Sequence, residues 1–153
     1  MTTFRTALTR LSDLSVSGIN QNADIDAIPD QPGRAQLPLL LVMPIEKNDD
    51  RLFHERGAGF EAIGFSNGAR SVTYTVTHLL LVAPVGSSKG ISAHLPDLID
   101  LIDSYITAFS ADATLADALL EPAHIRIEPG VFPFGGSSFY GCAFRHTWQM
   151  EVA

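Results

Sequence analysis

The stretch YGCAFRHTWQMEV (140–152) alternates without a break. Tyr140, Cys142, Phe144, His146, Trp148, Met150 and Val152 fall on one side, and Arg145, Thr147, Gln149 and Glu151 on the other. A period of two belongs to a β-strand and to no helix, so the chain must contain a sheet with one apolar face. A second long strand is expected at SVTYTVTHLLLVAP (71–84). Val72, Tyr74, Val76, His78, Leu80 and Val82 share one of its faces; Thr73, Thr75 and Thr77 begin the other, and Leu79, Leu81 and Ala83 finish it. That strand therefore starts half-exposed and ends apolar on both sides. A straight strand of this length reaches about 46 Å, whereas a compact domain of this size is only about 38 Å across. Strands longer than the body they belong to, with apolar flanks, point to assembly with neighbouring copies. Leu79, Leu81 and Ala83, with Phe132 and Phe134 in the glycine-rich loop PGVFPFGGSSF (129–139), are the candidate subunit contacts.

Helical spacing occurs twice. Phe4, Leu8, Leu11 and Leu14 mark a short N-terminal amphipathic helix. Pro96 to Phe109 marks the main one, with Pro96 in its first turn, Asp97 and Asp100 complementing the positive helix start, and Leu95, Leu98, Ile102, Tyr105 and Phe109, with Ile99 and Ile106, as a broad apolar face. ATLADALL (113–120) suggests a second short helix, LLLVMP (39–44) a buried strand, FEAIGF (60–65) the partner of 71–84, and HIRIE (124–128) a further strand. Residues 17–36, rich in Gly, Pro, Asn and Asp, read as an extended connection rather than a domain boundary. The expectation is one α+β domain over 1–153: an antiparallel or mixed sheet, the main helix across one face, and a short N-terminal helix. The charged, aperiodic stretch 45–59 reads as a surface excursion or a docking loop. Asp49, Asp50, Arg51, Leu52, Phe53, Glu55 and Arg56 are its candidate contacts, and the two apolar residues among them favour docking.

Composition narrows the classes of function. Of 153 residues, 46% are hydrophobic and only 18% charged, against roughly 25% charged in an average domain, so some surface is meant for a partner rather than water. The apolar run LPLLLVMPI (37–45) is too short for a membrane helix, which needs about 20 residues, and the start MTTFRTALTR lacks the apolar core of a secretory signal. A net charge of −7 with scattered basic residues argues against broad affinity for nucleic acid. The single Cys142 excludes an internal disulfide or a cysteine-built zinc site.

GFSNG (64–68) fits Gly-x-Ser-x-Gly, and Asp97 and His124 follow in hydrolase order. A nucleophile elbow, however, needs strand, sharp turn, then helix, whereas strand-like sequence flanks Ser66 on both sides and Asn67-Gly68 is a strong hairpin signal. Ser66 is read as a turn residue. The five histidines are dispersed without a chelating i, i+4 pair; His78 and His146 lie on apolar strand faces, as packed, hydrogen-bonded histidines do. Asp97, Asp100 and Asp103 read as a solvated helix face, and GSSKG (86–90) lacks the spacing of a phosphate loop. No catalytic residue, metal ligand or cofactor is expected.

The N-terminal helix, the long central strand ending HLLLVAP, the helix LPDLIDLIDSYITAF and the closing IEPGVFPFGGSSFYGCAFRHTWQMEV together resemble the tail terminator, or tail completion, proteins of long-tailed bacteriophages. The likeness runs over most of the chain from about residue 37 and is one of pattern and order. It implies a structural virion protein: a homo-oligomeric ring, six subunits by resemblance, assembled in the host cytoplasm at the head-proximal end of the tail. Such a ring caps the tail tube protein, joins it to the head–tail connector protein, and lets DNA pass without specific binding. An acidic lumen suits that passage. Other readings are a different connector or tube subunit, a small serine hydrolase at Ser66, or a small-ligand-binding domain.

Overall fold

The computed structural model describes residues 2–44, 59–63, 70–86 and 90–152, with the backbone alone for 59–63, Arg70 and Val152. The alternating C-terminal stretch is strand β6 (Ser137–Val152), and 71–84 lies within β4 (Arg70–Pro84). The two pair antiparallel from Arg70–Val152 to Pro84–Phe139, with one irregularity between Leu81 and Ala83. Around this spine is one mixed sheet, ordered β1-β2-β4-β6-β5 along its path. Here β1 is Gln21–Ala23, β2 is Leu39–Met43 and β5 is His124–Phe134; β1 runs parallel to β2 and the remaining pairs are antiparallel. The fold is α+β, as expected, with a main helix and a short N-terminal one.

A sixth strand, β3 (Gly59–Ile63), shares an edge of β4 with β2. Leu39 stands opposite Leu81 and Met43 opposite Thr77, after which Gly59 stands opposite Thr75. Partner numbers total 120 along β2 and 134 along β3, and the difference, 14, is the number of residues from 45 to 58. β2 and β3 therefore hold the register of one continuous strand with 45–58 inserted in it. The proposed loop ends at residue 58, since Gly59 already belongs to the sheet.

Even-numbered residues of β2, β4 and β6 face the helices. Helix α1 (Phe4–Ser12) is capped by Thr3, whose hydroxyl accepts from the Thr6 N–H at 3.1 Å, and buries Ala7, Leu8 and Leu11. Helix α2 (Ile91–Ser110) buries Leu98, Leu101, Tyr105 and Phe109. The core beneath them includes Leu40, Val76, Leu80, Phe144, Trp148 and Met150, and the Tyr105 and Phe144 rings stack 3.7 Å apart. The helix starts earlier than its proline suggests. Pro96 lies inside it, on an exposed turn, and lacks an N–H for the carbonyl four residues back.

Odd-numbered residues form the second face. Leu39, Leu41, Met43, Leu79, Leu81, Phe139 and Ala143 make a separate apolar cluster with Ala23 and Phe134, covered by Ile28, Leu37 and Phe132. Part of the stretch 17–36, read as a connection, thus belongs to a lid, residues 24–38, over this chain's own sheet. The hairpin tip meets it: a Cβ on Gly135 would stand 2.3 Å from the Asp30 carbonyl oxygen.

Two further expectations are corrected. Residues 129–139 are not a loop: β5 continues to Phe134 and turns on Gly135 and Gly136, both at positive φ (61° and 84°). Pro129 and Pro133 conceal the strand in sequence, yet among the described residues β5 pairs on one side only, where a missing N–H can point away from the ladder. Residues 113–120 do not form a helix either. Leu115, Ala116 and Asp117 take φ of 50°, 55° and 64°, a left-handed turn held by Arg10, which donates to the Leu115 and Ala116 carbonyls at 3.1 and 2.8 Å.

Candidate functional site

Helix α2 is apolar on more than its core side. Ile91, Leu95, Ile99 and Ile106 are 51%, 42%, 51% and 44% exposed, although their spacing places Leu95, Ile99 and Ile106 on the apolar face expected to be buried. Leu98, Leu101, Tyr105 and Phe109 take the sheet instead, and rotation by one residue turns the others outward. The exposed row runs about 22 Å along the helix at 1.5 Å per residue. It continues onto the helix side of β5, where Ile127 and Val131 are also exposed. Between the two lies a groove of about 220 Å³ lined by Ile91, Leu95, Leu98, Pro129, Gly130 and Tyr140, with His94 at its edge. A row of isoleucines beside an apolar groove can bury surface against a partner; it offers no chemistry.

On the other side of α2 is a more polar cleft of about 550 Å³, lined by Ser17, Gly18, Pro38, Val82, Ala83, Asp97, Asp100 and Ser104, and again by His94. The Nε2 atom of His94 is buried and has no hydrogen-bond partner among the described residues. Asp97 and Asp100, read as part of a solvated helix stripe, border this cleft and are exposed.

Between helix and sheet runs a chain of buried polar groups. Trp148 Nε1 meets His146 Nδ1 at 3.2 Å, His146 Nε2 meets the Tyr105 hydroxyl at 2.7 Å, that hydroxyl meets His78 Nδ1 at 2.8 Å, and His78 Nε2 meets Asn22 Oδ1 at 2.8 Å. Both histidines are fully buried. Burial lowers the His146 pKa to about 3 and, together with its neighbour His146, holds that of His78 well below 6.5; it also pushes the Tyr105 phenol well up. Nearby, burial pushes the Cys142 thiol up to about 12, so it is an inert core group rather than a nucleophile.

The two histidines were legible singly, as hydrogen-bonded residues on apolar strand faces. Their joining through Tyr105 and Asn22 was not, because it needs four elements brought together in space. Among the interface candidates, Leu79, Leu81 and Phe134 are buried inside this chain (7%, 0% and 2% exposed) and have almost no surface to give another subunit. Ala83 and Phe132 are half-buried against the two cores. Asp49, Asp50, Arg51, Leu52, Phe53, Glu55 and Arg56 lie outside the described residues, as does Ser66. The strands flanking 64–69 pair antiparallel, Ile63 opposite Ser71, and the element that follows is β4 rather than the helix of a nucleophile elbow. Among the described residues, no three His, Cys, Asp or Glu side chains are placed to hold a metal, and no helix is long and apolar enough to cross a membrane. Neither a family model, nor a curated protein, nor a solved structure matches the chain.

Proposed function

We propose that this protein is a structural subunit of a homo-oligomeric ring, the tail terminator of a long-tailed phage, which caps the tail tube, meets the head–tail connector and lets DNA through without gripping it. The observation that carries the assembly part is the exposed row Ile91, Leu95, Ile99 and Ile106 beside the β5 groove. Four large aliphatic residues in line are more than the scattered single exposures of an ordinary surface. The contact is made by side chains rather than by strand addition, because Pro129 and Pro133 break the N–H row on the outer edge of β5. The net charge of −7 suits a ring that DNA must slide through. Ring size, tail location and partners rest on the resemblance in pattern.

Native mass spectrometry over a range of concentrations, with electron microscopy of any assembled particle, tests the reading. The wild type should form one closed oligomer, with an opening wider than the roughly 20 Å of duplex DNA. Ile99→Asp with Ile106→Asp should leave a monomer whose melting temperature is unchanged. A wild type that stays monomeric at every concentration and is absent from tail particles overturns the proposal. The second reading, a small-ligand-binding domain, then takes its place, favoured by the polar cleft that His94, Asp97 and Asp100 help to line.

A further inference from the structure

The buried polar chain has only one possible direction. The Trp148 indole N–H can donate but not accept, so His146 Nδ1 is its acceptor and the His146 proton sits on Nε2. That proton goes to the Tyr105 oxygen, the Tyr105 hydroxyl donates to His78 Nδ1, and His78 Nε2–H donates to Asn22 Oδ1. The far end imposes the same order independently. The Asn22 amide nitrogen donates to the Leu11 and Leu14 carbonyls, both at 3.1 Å, which leaves its oxygen as acceptor. The bonds join β1, β4, α2 and β6, and through Asn22 they reach the end of α1.

A proton added to either imidazole turns Nδ1 from acceptor to donor. At His146 it would face the indole N–H; at His78 it would face the tyrosine O–H. The first case breaks a bond, the second reverses one and leaves the phenol proton without an acceptor, and each puts a charge in an apolar layer. Among the described residues, no opposite charge offsets it. Val76 of β4 and Ile125 of β5 stand opposite His146, and Val42 of β2 and Phe144 of β6 stand opposite His78. From α2 come Tyr105 and the Phe109 ring, and the Leu11 carbonyl of α1 and the Leu14 carbonyl just beyond it accept from Asn22. The other titratable groups at the site are Tyr105 and Cys142, both neutral there, and among the described residues no carboxylate bonds to any of the five side chains.

We infer that Asn22, His78, Tyr105, His146 and Trp148 form an acid-sensitive lock, which docks α2 on the sheet only while both imidazoles are neutral and releases it, with uptake of two protons, in mild acid. The inference is independent of the ring reading. Because both histidines have folded pKa values below their ordinary 6.5, the released state binds the extra protons. Docking strength is therefore complete above pH 6.5 and declines as pH falls from there toward about 3, where His146 would protonate in place.

Hydrogen exchange of the α2 amides between pH 7.5 and 5, corrected for intrinsic rate, measures the release. Below pH 6 the opening constant should rise by about 100-fold per pH unit, tenfold for each proton. His78→Gln and His146→Gln should each reduce the slope to about tenfold per unit. If neither variant folds, nitrogen-15 spectra of the wild-type imidazoles decide. Both rings should be neutral with the proton on Nε2 at pH 7 and remain so at pH 5 in every molecule whose α2 is docked. An opening constant that does not change with pH, or an imidazole charged or protonated on Nδ1 in the docked state, overturns the lock.

Discussion

The two faces of the sheet are both closed, but by different means. On the first, α1 and α2 lay regular apolar stripes over Leu80, Phe144, Trp148 and Met150, and a directed polar chain runs through the layer. On the second, Leu39, Leu41, Leu79, Leu81 and Ala143 are covered by irregular backbone, residues 24–38, and by the β5–β6 tip. A helix lid can slide along its apolar stripe, so a polar chain of fixed direction adds a constraint that packing alone lacks. The irregular lid needs no such device where glycine lets its backbone touch the hairpin tip directly.

Truncations in the two layers separate these cases most strongly. Trp148→Ala should cost about 3–5 kcal/mol, since it opens a large cavity and also strips His146 Nδ1 of its donor. Leu81→Ala should cost about 2–5 kcal/mol, from cavity alone. Both are read by urea denaturation of the purified variants. A neutral Leu81→Ala would mean that the second face is not closed within the chain, and would restore Leu79 and Leu81 as subunit contacts.

That same contrast governs how much the sequence revealed. Period-two patterning in 71–84 and 140–152 announced the spine, and 3.6-residue spacing announced both helices, because regular elements repeat their burial. Residues 24–38 have no period, so Ile28 and Leu37 left no signal, and the apolar faces they cover looked surplus. The surplus was then assigned to neighbours that the chain supplies itself. Pro129 and Pro133 hid the outer half of β5 for a related reason: the sequence does not say that only one of its edges is paired. The outward turn of Ile99 and Ile106 was hidden too, since α2 is apolar over most of its circumference and spacing could not choose which side meets the sheet.

The hairpin tip offers a sharper pair. Gly135 and Gly136 both have positive φ, but a Cβ on Gly136 meets nothing within 4 Å, whereas one on Gly135 meets the Asp30 carbonyl at 2.3 Å and Gln31 Cα at 3.2 Å. Gly136→Ala isolates the backbone cost, about 1–2 kcal/mol. Gly135→Ala should add about 1–3 kcal/mol for displacing the lid. Equal melting temperatures in the two variants would show that 24–38 does not press on the tip.

Both faces share β4, and one edge of β4 carries β2 and β3 in a single register. Deleting 45–58 joins Pro44 to Gly59 with Gly59 still opposite Thr75, so neither layer should change. Shortening the closed segment should alter stability by only about 1–2 kcal/mol, in the stabilising direction. Circular dichroism melting checks this; loss of the cooperative transition would mean that the two ladders are not one strand in energetic terms.

The smallest effect belongs to the one irregular part of the first lid. Leu115, Ala118 and Leu119 pack into the helix-side core, and the chain delivers them through three consecutive left-handed residues. Each such residue with a Cβ carries about 1–2 kcal/mol of strain. Arg10 at the Leu115 and Ala116 carbonyls and Asp112, which accepts from the Ala116 N–H at 2.7 Å, hold the turn against it. Ala116 is exposed and its side chain packs into neither core, so Ala116→Gly removes the strain without opening a cavity. Glycine also gains freedom in the unfolded chain, which returns part of the gain, so the net stabilisation should be about 0.5–1 kcal/mol. Denaturant titration resolves a change of that size. Destabilisation instead would mean that the turn is held too loosely to be strained, and that the first face, like the second, closes partly with backbone at rest.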